Sequence, residues 1–177
     1  MSHRSLLPTN RLPRLGILTC MWQRPALTRL VLKSYAAWRR TFEGVVEFEM
    51  VCVGSEGEAS RNLVERAGWR YVEHENLPLG AKWNAGLEPF KELNIDALII
   101  VGSDDVMSDN VVPFYLERLA EGEHAVGFSD MYALDLGTLE ALYWEGYAED
   151  SPRAGDTIGL GRCLSVELLK RAQWTLW

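Results

Sequence analysis

The amino-acid sequence predicts an α/β domain: a mostly parallel sheet with helices on both faces, followed by an antiparallel strand pair. Three observations predict it. Short apolar runs alternate with amphipathic helical patterns over most of the chain, the order that builds a parallel sheet through right-handed crossovers. The run Ala97-Leu98-Ile99-Ile100-Val101 is apolar at every position, which suits a central strand buried on both faces. It runs straight into Gly102-Ser103-Asp104-Asp105, placing two carboxylates at the strand's carboxyl end, where open α/β sheets bind ligands.

Taken in order, residues 1–13 form a polar, proline-containing lead-in, and residues 14–177 form one domain, divided into 14–106 and 107–177. Leu15–Cys20 reads as the first core strand. After the loop Met21–Arg24, Pro25 suits the first turn of a helix. Leu27, Leu30, Val31, Tyr35 and Trp38 then share one helical face. Val45–Val53 is a second strand, Gly54–Glu58 a break, and Ala59–Ala67 a helix that Gly68 stops. Trp69–Glu73 is a short third strand. A helix starts near Ala81, and Pro89 ends or kinks it by removing a hydrogen bond and clashing one turn back. Beyond the central strand, Ser108-Asp109-Asn110 signals a helix through Leu119. The pattern then changes to strands at Ala125–Ser129, Met131–Leu134 and Leu139–Tyr147, with a hairpin turn at Asp135–Thr138. A charged loop covers Ala148–Thr157, a strand Leu160–Leu164, and a last helix Ser165–Arg171.

Composition narrows the function. A chain of 177 residues with 47% hydrophobic and 24% charged residues is an ordinary globular domain. A net charge of -7 argues against a broad nucleic-acid-binding face. The three cysteines and three histidines are scattered, with no CxxC pair, so a zinc site is disfavoured and the thiols suit a reducing, cytoplasmic setting. No segment approaches membrane-spanning length. Seven tryptophans are many for this length, enough to line a pocket as well as a core.

Four loops meet at the carboxyl edge of such a sheet: Thr19–Arg24, Gly54–Glu58, Leu79–Asn84 and Gly102–Asp105. They supply an arginine, a lysine, hydroxyls, amides and carboxylates. That inventory suits a nucleotide diphosphate, with cations and Mg²⁺ or Mn²⁺ on the phosphates. No Walker-type or Gly-x-Gly-x-x-Gly loop follows the first strand, which disfavours a P-loop ATPase or a dinucleotide enzyme.

Four of these stretches carry a resemblance. Ile17–Pro25, ending Gln23-Arg24-Pro25, is similar to the opening strand and loop of GT-A glycosyltransferases of the family 2 type. Val53-Gly54-Ser55-Glu56 stands where that family has an acidic base-contacting residue. Leu79–Leu87, with Lys82 and Asn84, resembles its Gly-x-x-x-Ala-Arg-Asn-x-Gly helix start. Gly102–Asp105 resembles its Asp-x-Asp metal motif, with Ser103 in the first acidic place. Order and spacing agree over residues 14–130.

The resemblance implies a Rossmann-like GT-A fold and metal-assisted, inverting transfer of a sugar from a nucleotide-diphosphate sugar to an acceptor hydroxyl. It implies Mn²⁺ or Mg²⁺ on Asp105, and a donor site of Thr19, Arg24, Gly54, Ser55, Glu56, Lys82, Asn84, Ser103 and Asp104. The acceptor would be a saccharide or a nucleic acid bearing hydroxylated bases. That family has a catalytic carboxylate at a helix start after its acceptor strands; here no acidic residue follows the helix after Leu164, so a C-terminal segment is expected to be lacking, with Asp130 and Asp156 the candidates within the chain. Two other readings stand beside this one: a nucleotidyltransferase, and a catalytically silent binding module that kept the fold.

Overall fold

In the structure, a computed structural model that describes residues 4–177, the chain is organised by β1 (Arg14–Cys20), which lies between β2 (Glu47–Gly54) and β4 (Ala97–Ile100) and pairs with both in parallel. β3 (Arg70–Glu73) extends the sheet beyond β2, also in parallel. On the other side, β8 (Arg162–Ser165) pairs antiparallel with β4, and β5 (Ala125–Val126) pairs antiparallel with β8. The sheet order is therefore β3-β2-β1-β4-β8-β5. β6 (Met131–Leu134) and β7 (Ala141–Trp144) form a separate antiparallel hairpin.

Apolar side chains alternate between the two faces of these strands, and each face has its own core. On one side Leu15, Ile17, Met50 and Ile99 pack under α1 (Pro25–Thr41), α2 (Glu58–Arg66) and α4 (Val111–Ala120). On the other, Leu18, Val51, Val53 and Leu98 meet α3 (Leu79–Leu87), a 3-10 turn at Glu88–Lys91, and α5 (Val166–Arg171). Each fully buried aliphatic side chain contributes about 1.5–3 kcal/mol over its exposed state. Central β1 and β4 are buried almost throughout, as a continuous apolar run predicts.

Several boundaries differ from the sequence reading for local reasons. β2 starts at Glu47 because Phe42–Val46 is a turn, with Gly44 at φ +76° and Val46 N–H donating to the Phe42 carbonyl. α3 does stop before Pro89, but its first residue is Leu79, after Pro78. α4 begins at Val111 with no side-chain cap; Ser108 Oγ bonds the Asn110 side chain instead of the helix end. The strand expected over 125–129 shrinks to two residues because the Phe128 carbonyl is taken by Ile158 N–H. β7 is shorter than 139–147, bounded by Leu139 at φ +61° and Gly146 at φ +112°. The hairpin turn is held by Asp135, whose carboxylate accepts from Gly137 and Thr138 N–H at 2.7 and 3.0 Å. Among the described residues no helix is long and apolar enough to cross a membrane.

Candidate active site

The parallel strands β1, β2 and β4 all release their chains at one edge, and the loops that follow them build the site. The loop after β4 is braced from beneath by Tyr35 of α1. Its hydroxyl donates to the Asp105 carbonyl at 3.0 Å and accepts from Met107 N–H at 3.1 Å. Burial raises the Tyr35 phenol well above its ordinary pKa, so it stays a neutral two-way strut. The Asp105 carboxylate folds back to accept from Gly102 N–H at 2.9 Å. A Cβ on residue 102 would collide with that carboxylate, so this fold-back requires glycine. Burial raises the Asp105 pKa, and the Gly102 N–H partly opposes the shift.

Arg24, at the end of the β1 loop, bridges to the same stretch: one Nη donates to Asp104 at 2.5 Å, the other to Ser103 Oγ at 3.2 Å. Lys82 lies in the first turns of α3 and is only 1% exposed. Its ammonium donates to the Met21 carbonyl at 2.6 Å and to Asn76 Oδ1 at 3.0 Å. Desolvation lowers its pKa. Two of its three N–H groups are thus used, and one is left over. Arg24, Lys82, Ser103 and Asp104, with Asn76 and Trp83, line a cavity of about 540 Å³. A larger cavity of about 790 Å³ adjoins it, sharing Trp83 and Gly102 and walled by β6, β7 and β8. Asp105 faces this second cavity, so the two adjacent carboxylates line different spaces.

The other expected site residues fall elsewhere. Thr19 is fully buried within β1 and lines neither cavity. Gly54 is closed over by its neighbours: a Cβ there would lie 2.6 Å from the Tyr71 ring and 2.7 Å from Ser60 Cβ. Glu56 accepts from Gln23 N–H at 3.2 Å, so it ties the β2 loop to the β1 loop. Ser55 sits beside it with its hydroxyl buried and, among the described residues, unbonded. Asn84 does not line the smaller cavity. Its amide donates to the Trp177 carbonyl at 2.5 Å and accepts from Leu176 N–H at 3.0 Å. Asp130 accepts from Tyr143 at 2.8 Å and Asp156 from Arg153 at 3.2 Å; neither lines either cavity.

Sequence reasoning missed Asn76 and Arg162; the tryptophans it expected to line a pocket are Trp83, Trp144 and Trp177 in the larger cavity. Arg162 had a visible signal, a lone cation in the apolar run Leu160–Leu164. Tyr143 packs across the hairpin against Tyr132, with ring centroids 4.9 Å apart and the rings tilted by 40°, while Trp144 and Tyr147 face the larger cavity.

A divalent ion can be tested against these residues. Among the described residues no group of three or more His, Cys, Asp or Glu side chains is arranged to hold a metal, and Asp104 is already engaged by Arg24. Among the described residues Asp105 makes no ion pair, and only one of its two oxygens accepts a hydrogen bond. That set does not fit an all-protein cage. It does fit Mg²⁺ or Mn²⁺ carried largely by substrate phosphates, which need only one or two carboxylates.

The fold is an α/β one of the GT-A type, a mostly parallel six-stranded sheet beside a separate antiparallel strand pair. Solved structures agree. A CMP:2-keto-3-deoxy-manno-octonic acid synthetase complexed with CTP aligns at TM-score 0.58 and 10% identity, over 91% of this chain and 77% of that one. S. aureus TarS 1-349 aligns at 0.60 and 14%, over 90% of this chain and 49% of that one. Glucosyl-3-phosphoglycerate synthase from Mycobacterium tuberculosis, in complex with Mg²⁺ and uridine-diphosphate, aligns at 0.54 and 17%, over 89% and 58%. This chain thus spans about half the length of TarS 1-349 and rather more of the mycobacterial synthase. At these identities the likeness is one of fold. No protein-family model and no curated protein matches the chain.

Proposed function

We propose that the chain is a glycosyltransferase that takes a sugar from a nucleotide-diphosphate donor and passes it to an acceptor hydroxyl. One observation carries this reading. A cavity lined by the charged Arg24 and Lys82 meets a larger cavity with aromatic walls at Gly102 and Trp83, with Asp104 on one side and Asp105 on the other. The first suits a donor diphosphate and the second an acceptor. Arg24 brings a fixed charge to the leaving diphosphate, held in place by Ser103 and Asp104. Lys82 offers its remaining N–H from a buried position, where a charge acts more strongly than in water. Asp105 would hold Mn²⁺ or Mg²⁺ together with the donor phosphates, and such an ion neutralises charge developing on the leaving group. With Gly54 closed, base contacts would fall to the loop around Glu56.

A nucleotidyltransferase is the second reading, because cytidylyltransferase and synthetase folds align as well as the glycosyltransferases do. The loop Met21–Arg24 contains no glycine, which weighs against wrapping a nucleoside triphosphate there. The deciding experiment is a thermal-shift screen of UDP, GDP and CDP against UTP, GTP and CTP, with and without Mn²⁺, followed by donor hydrolysis. Stabilisation by a diphosphate, and sugar release that Asp105→Ala abolishes, are expected. Stabilisation by triphosphates alone, with pyrophosphate released, would establish the second reading. Binding without turnover would leave a silent module.

A further inference from the structure

The larger cavity has mostly apolar walls, with Trp83, Trp144, Tyr147 and Trp177 among them, yet two charged side chains line it: Asp105 and Arg162. Among the described residues neither makes an ion pair within 4.0 Å. Arg162 is half-buried, on a strand between β4 and β5. Its Nε donates to the Ile158 carbonyl at 3.0 Å and one Nη to the Thr157 carbonyl at 3.4 Å. Of five N–H donors, three remain unused. Backbone carbonyls thus hold the guanidinium in one orientation, at an apolar wall, with no counter-ion. An uncompensated guanidinium there costs desolvation that an anionic ligand would repay, and its planar fork matches a carboxylate or a phosphate.

We infer that this cavity takes a hydroxylated anion with an aromatic or apolar body, its carboxylate or phosphate held by Arg162 and its hydroxyl directed toward Asp105. This rests on reading the cavity as the acceptor side. It narrows the acceptor class: a neutral saccharide would leave Arg162 without a partner. The bland alternative is that Arg162 merely ties residues 157–158 to β8, which predicts no charge preference in any ligand.

The test needs no donor, so its failure is distinct from failure of the donor reading. 4-Hydroxybenzoate and 4-hydroxyphenyl phosphate are titrated against the neutral isostere 4-hydroxybenzamide by ligand-observed NMR at pH 7.5, without nucleotide. At least one anion should bind about tenfold or more tightly than the amide, the scale of one charge-assisted hydrogen bond. The carboxylate and phosphate arms separate the two sources of charge. Arg162→Gln should erase the preference, and Arg162→Lys should keep part of it. Equal or absent binding of all three probes to the wild type would overturn the inference, whether or not the variants fold. So would an undiminished preference in a folded Arg162→Gln protein.

Discussion

Gly54 stands where the resembled enzymes carry a base-contacting acid, so Gly54→Asp is the substitution that resemblance alone would recommend. The structure predicts the opposite of a gain. A Cβ at this position falls 2.6 Å from Tyr71 Cε2 and 2.7 Å from Ser60 Cβ, both inside van der Waals contact. The Tyr71 ring can swing, but Ser60 Cβ is fixed to the backbone of α2 and 1% exposed. Even Gly54→Ala must therefore push α2 off the sheet. Overpacking of this kind costs about 1–3 kcal/mol, which for a domain of this size lowers Tm by roughly 2–12 °C. Gly54→Asp should lose at least as much. Removing the stiff contact with Ser60→Gly should rescue part of the Gly54→Ala loss, although Ser60→Gly alone destabilises through helix propensity. A thermal-denaturation double-mutant cycle reads a favourable coupling of about 1 kcal/mol. Strictly additive effects, or a Gly54→Ala protein as stable as wild type, would refute this account of the position.

Three more outcomes follow from the site. Arg24→Ala breaks an exposed ion pair with Asp104, so stability should change by less than about 1 kcal/mol, while nucleotide-diphosphate affinity measured by calorimetry should fall at least about tenfold. Asn84→Ala removes the bonds to 176–177 and should release the stack of Trp177 on Trp83, now 5.3 Å between centroids. Tryptophan emission should shift to the red, with about 1 kcal/mol lost. Asp105→Asn keeps an acceptor for Gly102 N–H but no charge. The folded carboxyl of Asp105 has a pKa above its ordinary 3.8. Its contribution to stability is therefore fully present below 3.8 and is lost as pH rises through the higher folded value. Asp105→Asn should thus melt above the wild type at pH 7, with the gap closing as pH falls toward 4.

Local pattern made the parallel half legible. The uninterrupted run at Ala97–Val101 and the amphipathic face of Leu27–Trp38 each have a period that one backbone satisfies. The stop before Pro89 follows from a missing donor. What local pattern could not carry was partner choice. Nothing in Leu160–Leu164 says that β8 inserts antiparallel between β4 and β5, because strand pairing is a long-range property. The same limit governed the site. Arg24, Lys82, Ser103 and Asp104 were legible as a chemical inventory and do share a cavity. Thr19 and Asn84 sit at equally suggestive positions but serve the core and the 176–177 segment, which only the packing reveals. Arg162 lies 57 positions after Asp105, and only the insertion of β8 brings the two to one wall.

The β6–β7 hairpin gives the molecule room for evolutionary change. Met131, Ala133, Leu142 and Trp144 face the larger cavity, while Tyr132, Leu134 and Tyr143 point to solvent. Because the pairing is local and the hairpin lies outside the six-stranded sheet, those four inward positions can be rewritten without disturbing the two cores or the Arg24–Lys82 side. Two-residue periodicity thus confines change to one surface. On the proposed reading, a lineage of such proteins could trade one acceptor for another by altering a hairpin of a dozen or so residues, leaving the Arg24–Lys82 side intact.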